Sequence, residues 1–239
     1  MTALPVDSVV ALGFLLGLRH AIEADHLAAI ATIVTERRSL LSSLLVGASW
    51  GLGHTLALLL AGVGVLLLRY QMTDRMAHAL ELCVGMMLVL LGANVLRTLV
   101  HRAASRSHDH TTIASHSHSE KLLAARPLFV GMVHGLAGSA PLLLLTLTAV
   151  SSRWAAFSYI AVFGVGSMMG MATMSVLLSV PALLTGEHFA RAHLALRGLF
   201  GLFSVALGLF IVYENGVLNR LVADYRPIAP VLRSMWITV

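Results

Sequence analysis

Six long apolar runs constrain this chain more than anything else in it: about Val9–Val34, Leu41–Leu68, Met76–Leu96, Pro127–Val150, Trp154–Leu184 and Gly198–Gly216. A helix needs roughly 20 apolar residues to cross a bilayer, and each run is about that long or longer. Composition agrees. The 239 residues are 58% hydrophobic and 11% charged, whereas a soluble domain carries about a quarter charged residues. The expected fold is therefore all-α, a polytopic membrane protein of about six transmembrane helices. The formal charge of +5 does not indicate nucleic-acid binding, because no basic cluster is interleaved with aromatics. Cys83 is the single cysteine, which excludes an internal disulfide and a Cys-rich metal site. The first eighteen residues lack Lys and Arg, so no cleavable signal peptide is expected.

The only long connection, about 97–126, divides the chain into residues 1–96, a His-rich loop 97–126, residues 127–216 and a tail 217–239. With the N-terminus outside, nine Lys/Arg fall on cytoplasmic pieces and six on outer ones, which predicts an N-out, C-out arrangement by the positive-inside rule. Spans one to three align with spans four to six. Gly17-Leu-Arg-His-Ala matches Gly131-Met-Val-His-Gly; Gly47 and Gly51 match Gly166 and Gly170; Gly85 and Gly92 match Gly201 and Gly208. Three spans per half would make the repeats inverted, an arrangement that places transporter sites near the midplane.

The first run holds a contradiction. In "GLRHAIEADHLAAI", Arg19, His20, Glu23, Asp25 and His26 put five ionisable groups into eight residues, close to mid-bilayer. At roughly 2.5–3.5 kcal/mol each, simple addition gives an upper limit on the order of 15 kcal/mol. Folding alone does not explain that. An Arg19–Glu23 pair could neutralise part of it, and two short helices with the cluster in an exposed loop would avoid it. The pattern H-x4-D-H, His20, Asp25 and His26, does not converge on a regular helix: Asp25 lies about 140° and His26 about 240° around from His20. Either the helix unwinds there or neighbouring spans bring partners. Imidazole and carboxylate together suit a borderline divalent ion such as Ni²⁺, Co²⁺ or Zn²⁺.

Partners stand at matching depths. "WGLGHTLAL" carries His54 and "GMVHGLAGSAP" carries His134, both beside glycines. Asn94 could support the site by hydrogen bonding; Glu81 and Glu214 read as helix-end residues. In the loop, His101, His108, His110, His116 and His118 lie among Ser, Thr and Ala. That segment has too little apolar content to fold alone, and its two H-x-H pairs would offer weak, exchangeable metal sites.

These residues resemble the nickel/cobalt transporter family, in particular its short six-span members described as high-affinity nickel transporter-like or urease-accessory-like. The resemblance rests on "GLRHAIEADHLAAI", "GASWGLGHTLALLL", "RPLFVGMVHGLAGSAPLLLL" and "VFGVGSMMGM", and covers Val9 to about Tyr213. It implies a permease of the cytoplasmic membrane that moves Ni²⁺ or Co²⁺, with His20, Asp25 and His26 essential and no permanently bound cofactor. The commoner family pattern has aspartate where this chain has Glu23, and larger members have eight spans. Expected partners are the divalent ion, the bilayer and a cytoplasmic metallochaperone.

Two rivals exist. A serine hydrolase built on Ser139 lacks a base: the last span has no His, and His134 lies about 140° around the same helix. A metal hydrolase lacks H-E-x-x-H spacing. A membrane sensor or accessory protein that supplies nickel to a metalloenzyme without transport is compatible with the same residues.

Overall fold

The computed structural model describes residues 6–37, 39–67, 73–105, 120–138 and 153–218. Among these residues every regular element is a helix: α1 Val6–His20, α2 Ala24–Val34, α3 Leu40–Leu66, α4 Asp74–Ser105, α5 Glu120–Gly138, α6 Arg153–His188 and α7 Ala190–Tyr213, closed by a π-helical turn Glu214–Leu218. Four stretches are long and apolar enough to cross a membrane: Leu40–Gly64, Arg75–His101, Trp154–Thr185 and Ala190–Gly216. Large apolar side chains stand exposed on all four, among them Leu60, Leu90, Leu184 and Leu199. A soluble monomer rarely exposes such a surface; lipid matches it. This is a membrane protein.

The first expected span is not one helix. α1 ends at His20 and α2 starts at Ala24. Between them Ile22 N–H bonds to Arg19 O at 3.1 Å and Glu23 N–H to His20 O at 3.1 Å, which tightens the last turn. Glu23 then takes an extended conformation, φ −64° and ψ 148°, and its carbonyl accepts Leu27 N–H at 3.0 Å to start α2. An 11-residue helix rises about 16 Å, too little to span alone. α2 is instead part of the interior, with Ala28, Ala29, Ile30 and Val34 fully buried against Val46, Trp50, Leu88 and Met171.

The expected loop 97–126 is shorter than its composition suggests. α4 continues to Ser105 and α5 already begins at Glu120. Both extensions, Arg97–Ala104 and Glu120–Ala125, are rich in Leu, Ala, Arg, Lys or Glu, good helix formers. The rest of the loop, the continuation of the fourth span to Val150, and the tail beyond Leu218 lie outside the described residues.

The principal helix pairs are α3 with α6, α4 with α7, α3 with α5, and α1 with α6. The glycines noted in the sequence sit at these contacts. A Cβ at Gly208 would meet the Gly85 carbonyl, and one at Gly92 the Gly201 carbonyl, so α4 and α7 run antiparallel with their backbones touching. Small residues allow this approach in a membrane, where packing rather than water exclusion holds helices together. At the far end of α2, Arg197 Nη2 of α7 donates to Glu36 Oε1 at 2.6 Å.

Candidate metal centre

The break in the first span decides the site's geometry. His20 is the last residue of α1, and Asp25 and His26 occupy the first turn of α2. A regular helix would splay these three; the break folds them together, with the His20 and His26 ring centroids 4.5 Å apart. His54 arrives from α3 and His134 from α5. Those two helices meet so closely that a Cβ at Gly131 would fall on the Trp50 carbonyl, and one at Gly135 on the His54 carbonyl. The His26–His134 and His20–His54 centroids lie 4.0 and 5.1 Å apart. All four imidazoles are buried, none more than 1% exposed.

Asp25 organises the cluster. Its Oδ1 accepts the His26 backbone N–H at 2.8 Å and lies 3.0 Å from His26 Nδ1; its Oδ2 lies 2.9 Å from His134 Nε2. A carboxylate only accepts, so both ring nitrogens carry hydrogen. The backbone bond also satisfies a donor that the α2 N-terminus leaves without a helical partner, and the carboxylate sits at the positive end of the helix dipole. On the other side, Glu23 Oε2 lies 3.0 Å from His20 Nδ1. That pair lacks hydrogen-bond geometry, so His20 Nδ1 remains without a hydrogen-bond partner. Asp25 holds the proton on Nδ1 of His26, which leaves that ring's lone pair on Nε2, the arrangement in which imidazoles bind metals.

Two groups of potential ligand atoms result, His20–His26–His54 and Asp25–His26–His134, the atoms of each lying within 4.8 Å of one another. The first has the stronger chemistry. His20 Nε2 and His54 Nε2 are 3.2 Å apart. Two imidazoles on one ion, each bonded at about 2.0–2.1 Å, place their nitrogens about 2.9–3.4 Å apart. His26 Nε2 is buried without a hydrogen-bond partner, and an unsatisfied buried polar atom costs about 1–3 kcal/mol. A cation bound by His26 Nε2 would replace that cost with a bond. In the second group both Asp25 oxygens are already occupied by ring N–H donors.

The remaining expected residues separate clearly. Glu23 and Arg19 are both exposed, and among the described residues Glu23 turns to His20 rather than to Arg19. Asn94 is not at the cluster: it is exposed on α4 and lines a different cavity with Thr32, Glu36 and Arg37. His101 is exposed, with Arg97 Nε donating to its Nε2 at 3.4 Å. His108, His110, His116, His118 and Ser139 lie outside the described residues. Sequence reasoning missed Phe163, whose ring lies 5.5 Å from His20, and Trp50, 5.8 Å from His134. Both read as ordinary core aromatics; Trp50 adjoins the Gly51-Leu-Gly53-His54 string, the one signal that could have marked it. His78 and Asn215 were also missed, and only their contact across 137 residues reveals them.

The family profile described as high-affinity nickel-transport protein (NicO) matches residues 7–213. The chain belongs to this family. Among individual proteins, it is 34% identical to the urease accessory protein UreH of Bacillus sp. (strain TB-90), covering 90% of this chain and 94% of that one. It is 27% and 28% identical to the chloroplast proteins FOR GROWTH AND FERTILITY 1 and 2 of Arabidopsis thaliana, over 84% and 85% of this chain but 57% and 55% of theirs. No solved structure matches. Membership in the nickel-transport family implies a divalent metal ion as substrate.

Proposed function

We propose that this protein carries Ni²⁺ or Co²⁺ across the cytoplasmic membrane as a multi-pass secondary transporter, with the metal as substrate and no resident cofactor. One observation carries the reading: four imidazoles and a carboxylate converge inside a lipid-facing helical bundle, at a break in a helix. The ion exchanges hydration water for His20, His26 and His54. Asp25 orients His26 and His134, Glu23 stands beside His20, and the Asp25–His26–His134 group adjoins this site. Discontinuous helices at mid-depth are a recurrent transporter device.

The packing supports an inverted repeat. Exchange of the two halves turns the contact of span two with span four into that of span five with span one, and leaves pairs two–five and three–six unchanged. All of these are the principal contacts. Rocking of one half against the other would expose the cluster alternately, and the His-rich segment would collect metal at the cytoplasmic mouth, where a metallochaperone receives or delivers it. The deciding experiment is uptake of radioactive Ni²⁺ and Co²⁺ by sealed, oriented proteoliposomes, wild type against Asp25→Asn. Transport by the wild type and its loss in the variant support the reading; equal flux in both, or none in either, rejects it.

The similarity to a urease accessory protein favours one second reading, supply of nickel to a metalloenzyme without transport. His20→Ala in whole cells separates the two. Loss of metal accumulation with normal membrane insertion indicates transport, and retained accumulation with failed enzyme maturation indicates the accessory role.

A further inference from the structure

A cavity of about 470 Å³ opens between the N-terminal part of α4, the end of α7 and the α1–α2 break, lined by Glu23, Asp25, His78, Glu81, Glu214 and Asn215 over apolar walls that include Val84, Ala137 and Ile211. We infer that this cavity is the aqueous vestibule of the metal centre, in which the hydrated divalent cation is captured by Glu81, Glu214 and His78 on its way past Glu23 and Asp25 to the buried imidazoles. The inference rests on the reading of the imidazole cluster as a metal site.

Position comes first. Glu23 and Asp25 belong both to the cavity lining and to the cluster: Glu23 Oε2 lies 3.0 Å from His20 Nδ1, and Asp25 is hydrogen-bonded to His26 and His134. An ion in the cavity is therefore one carboxylate away from the imidazoles. Size follows. A divalent ion with six waters, at about 30 Å³ each, occupies on the order of 180 Å³, so the ion enters with its shell intact. Dehydration then takes place where fixed carboxylate and imidazole groups stand ready to replace the water.

Charge is the third element. Four carboxylates face the cavity, and no Lys or Arg is among its described lining residues. Between apolar walls such a set focuses the field and raises cation on-rates by about 10–10³. Local structure holds the outer set in place. The Gly85–Gly208 contact brings α4 and α7 together about one helical turn from Glu81 and nearly two turns from Glu214. At Glu214 the chain changes to a π-helical turn, a distortion found often at functional sites. That turn aims Asn215, whose Nδ2 donates to Ile211 O at 3.2 Å and whose Oδ1 accepts from His78 Nδ1 at 3.1 Å. His78 then carries its proton on Nδ1 and its lone pair on Nε2. Under the N-out topology this mouth faces the outside.

The test is stopped-flow Ni²⁺ binding to the full chain in detergent, read by quenching of Trp50 in a Trp154→Phe/Trp236→Phe background, across a series of salt concentrations. In Glu81→Gln/Glu214→Gln the association rate is expected to fall about tenfold at low salt and to lose most of its salt dependence, with the dissociation rate unchanged; an unchanged dissociation rate also reports an intact site. The same association rate and salt slope as the parent overturns the vestibule alone. No Ni²⁺-dependent quenching in the parent protein itself overturns the metal centre, and the vestibule with it.

Discussion

Asp25 Oδ2 lies 2.9 Å from His134 Nε2, joining two residues 109 positions apart through a partly buried contact. The same carboxylate holds His26 through its other oxygen. One side chain therefore fixes two imidazoles on two helices, and it does so as an acceptor. Asp25 is placed to orient both rings.

Replacement of Asp25 by Asn preserves shape but leaves one oxygen where two were needed, and puts an NH₂ against a ring N–H. Loss of a carboxylate that orients metal-binding histidines lowers metal affinity by about 10–100-fold. Titration calorimetry of purified Asp25→Asn with Ni²⁺ is expected to fall in that range, with helical content unchanged by circular dichroism. Wild-type affinity would remove the orienting role.

The two ligand groups make different demands on the imidazole count. If His20, His26 and His54 hold the ion, X-ray absorption of the nickel-loaded protein is expected to lose one imidazole in His20→Ala, His26→Ala or His54→Ala. It should lose none in His134→Ala, whose ring remains an Asp25 partner in the parent protein. Loss of an imidazole in His134→Ala would transfer the site to the Asp25–His26–His134 group.

Backbone contact between α3 and α5 sets the cluster's width. In Gly135→Ala the added methyl meets the His54 backbone, so α5 must move outward. Overpacking of this kind costs about 1–3 kcal/mol. A lower Tm and weaker Ni²⁺ binding are expected together, since the displaced helix carries His134. Gly64→Ala serves as control, with nothing within 4 Å of the new carbon.

The Glu36–Arg197 pair ties the end of α2 to α7, and its partners differ in burial. Arg197 is 3% exposed, whereas the Glu36 side chain is about half exposed. Removal of the glutamate takes a carboxylate away from a buried cation; removal of the arginine leaves a carboxylate that water can reach. Glu36→Ala is expected to lower Tm more than Arg197→Met, whose chain still fills the space. The reverse order in thermal melts would show that packing of the Arg197 stem outweighs its charge.

Much of this was legible in the residues. The all-helical membrane class followed from apolar runs of spanning length, and α3, α6 and the core of α4 lie close to where hydropathy placed them. His20, His26 and His54 stood out because ionisable groups at membrane depth are too costly to be incidental. Glu81 and Glu214 did not, because a carboxylate near a helix end has a bland explanation; only the approach of α4 and α7 put them in one cavity with Asp25. Asn94 drew attention by depth alone and stands elsewhere. The helix extensions into the loop were missed because the histidine and serine tract hid the helix-forming residues on either side.

Sequence alone determined that the chain is a helical membrane protein and that its first span carries polar groups in need of a common purpose. Hydrophobicity and the cost of burying charge are local properties, readable residue by residue. Tertiary structure decided that the span breaks after His20, that Asp25 bonds to two rings, and that His54 and His134 complete the cluster. These depend on where separate helices touch. A backbone contact such as Gly135 against His54 is a relation between distant segments, and no periodicity within either one encodes it.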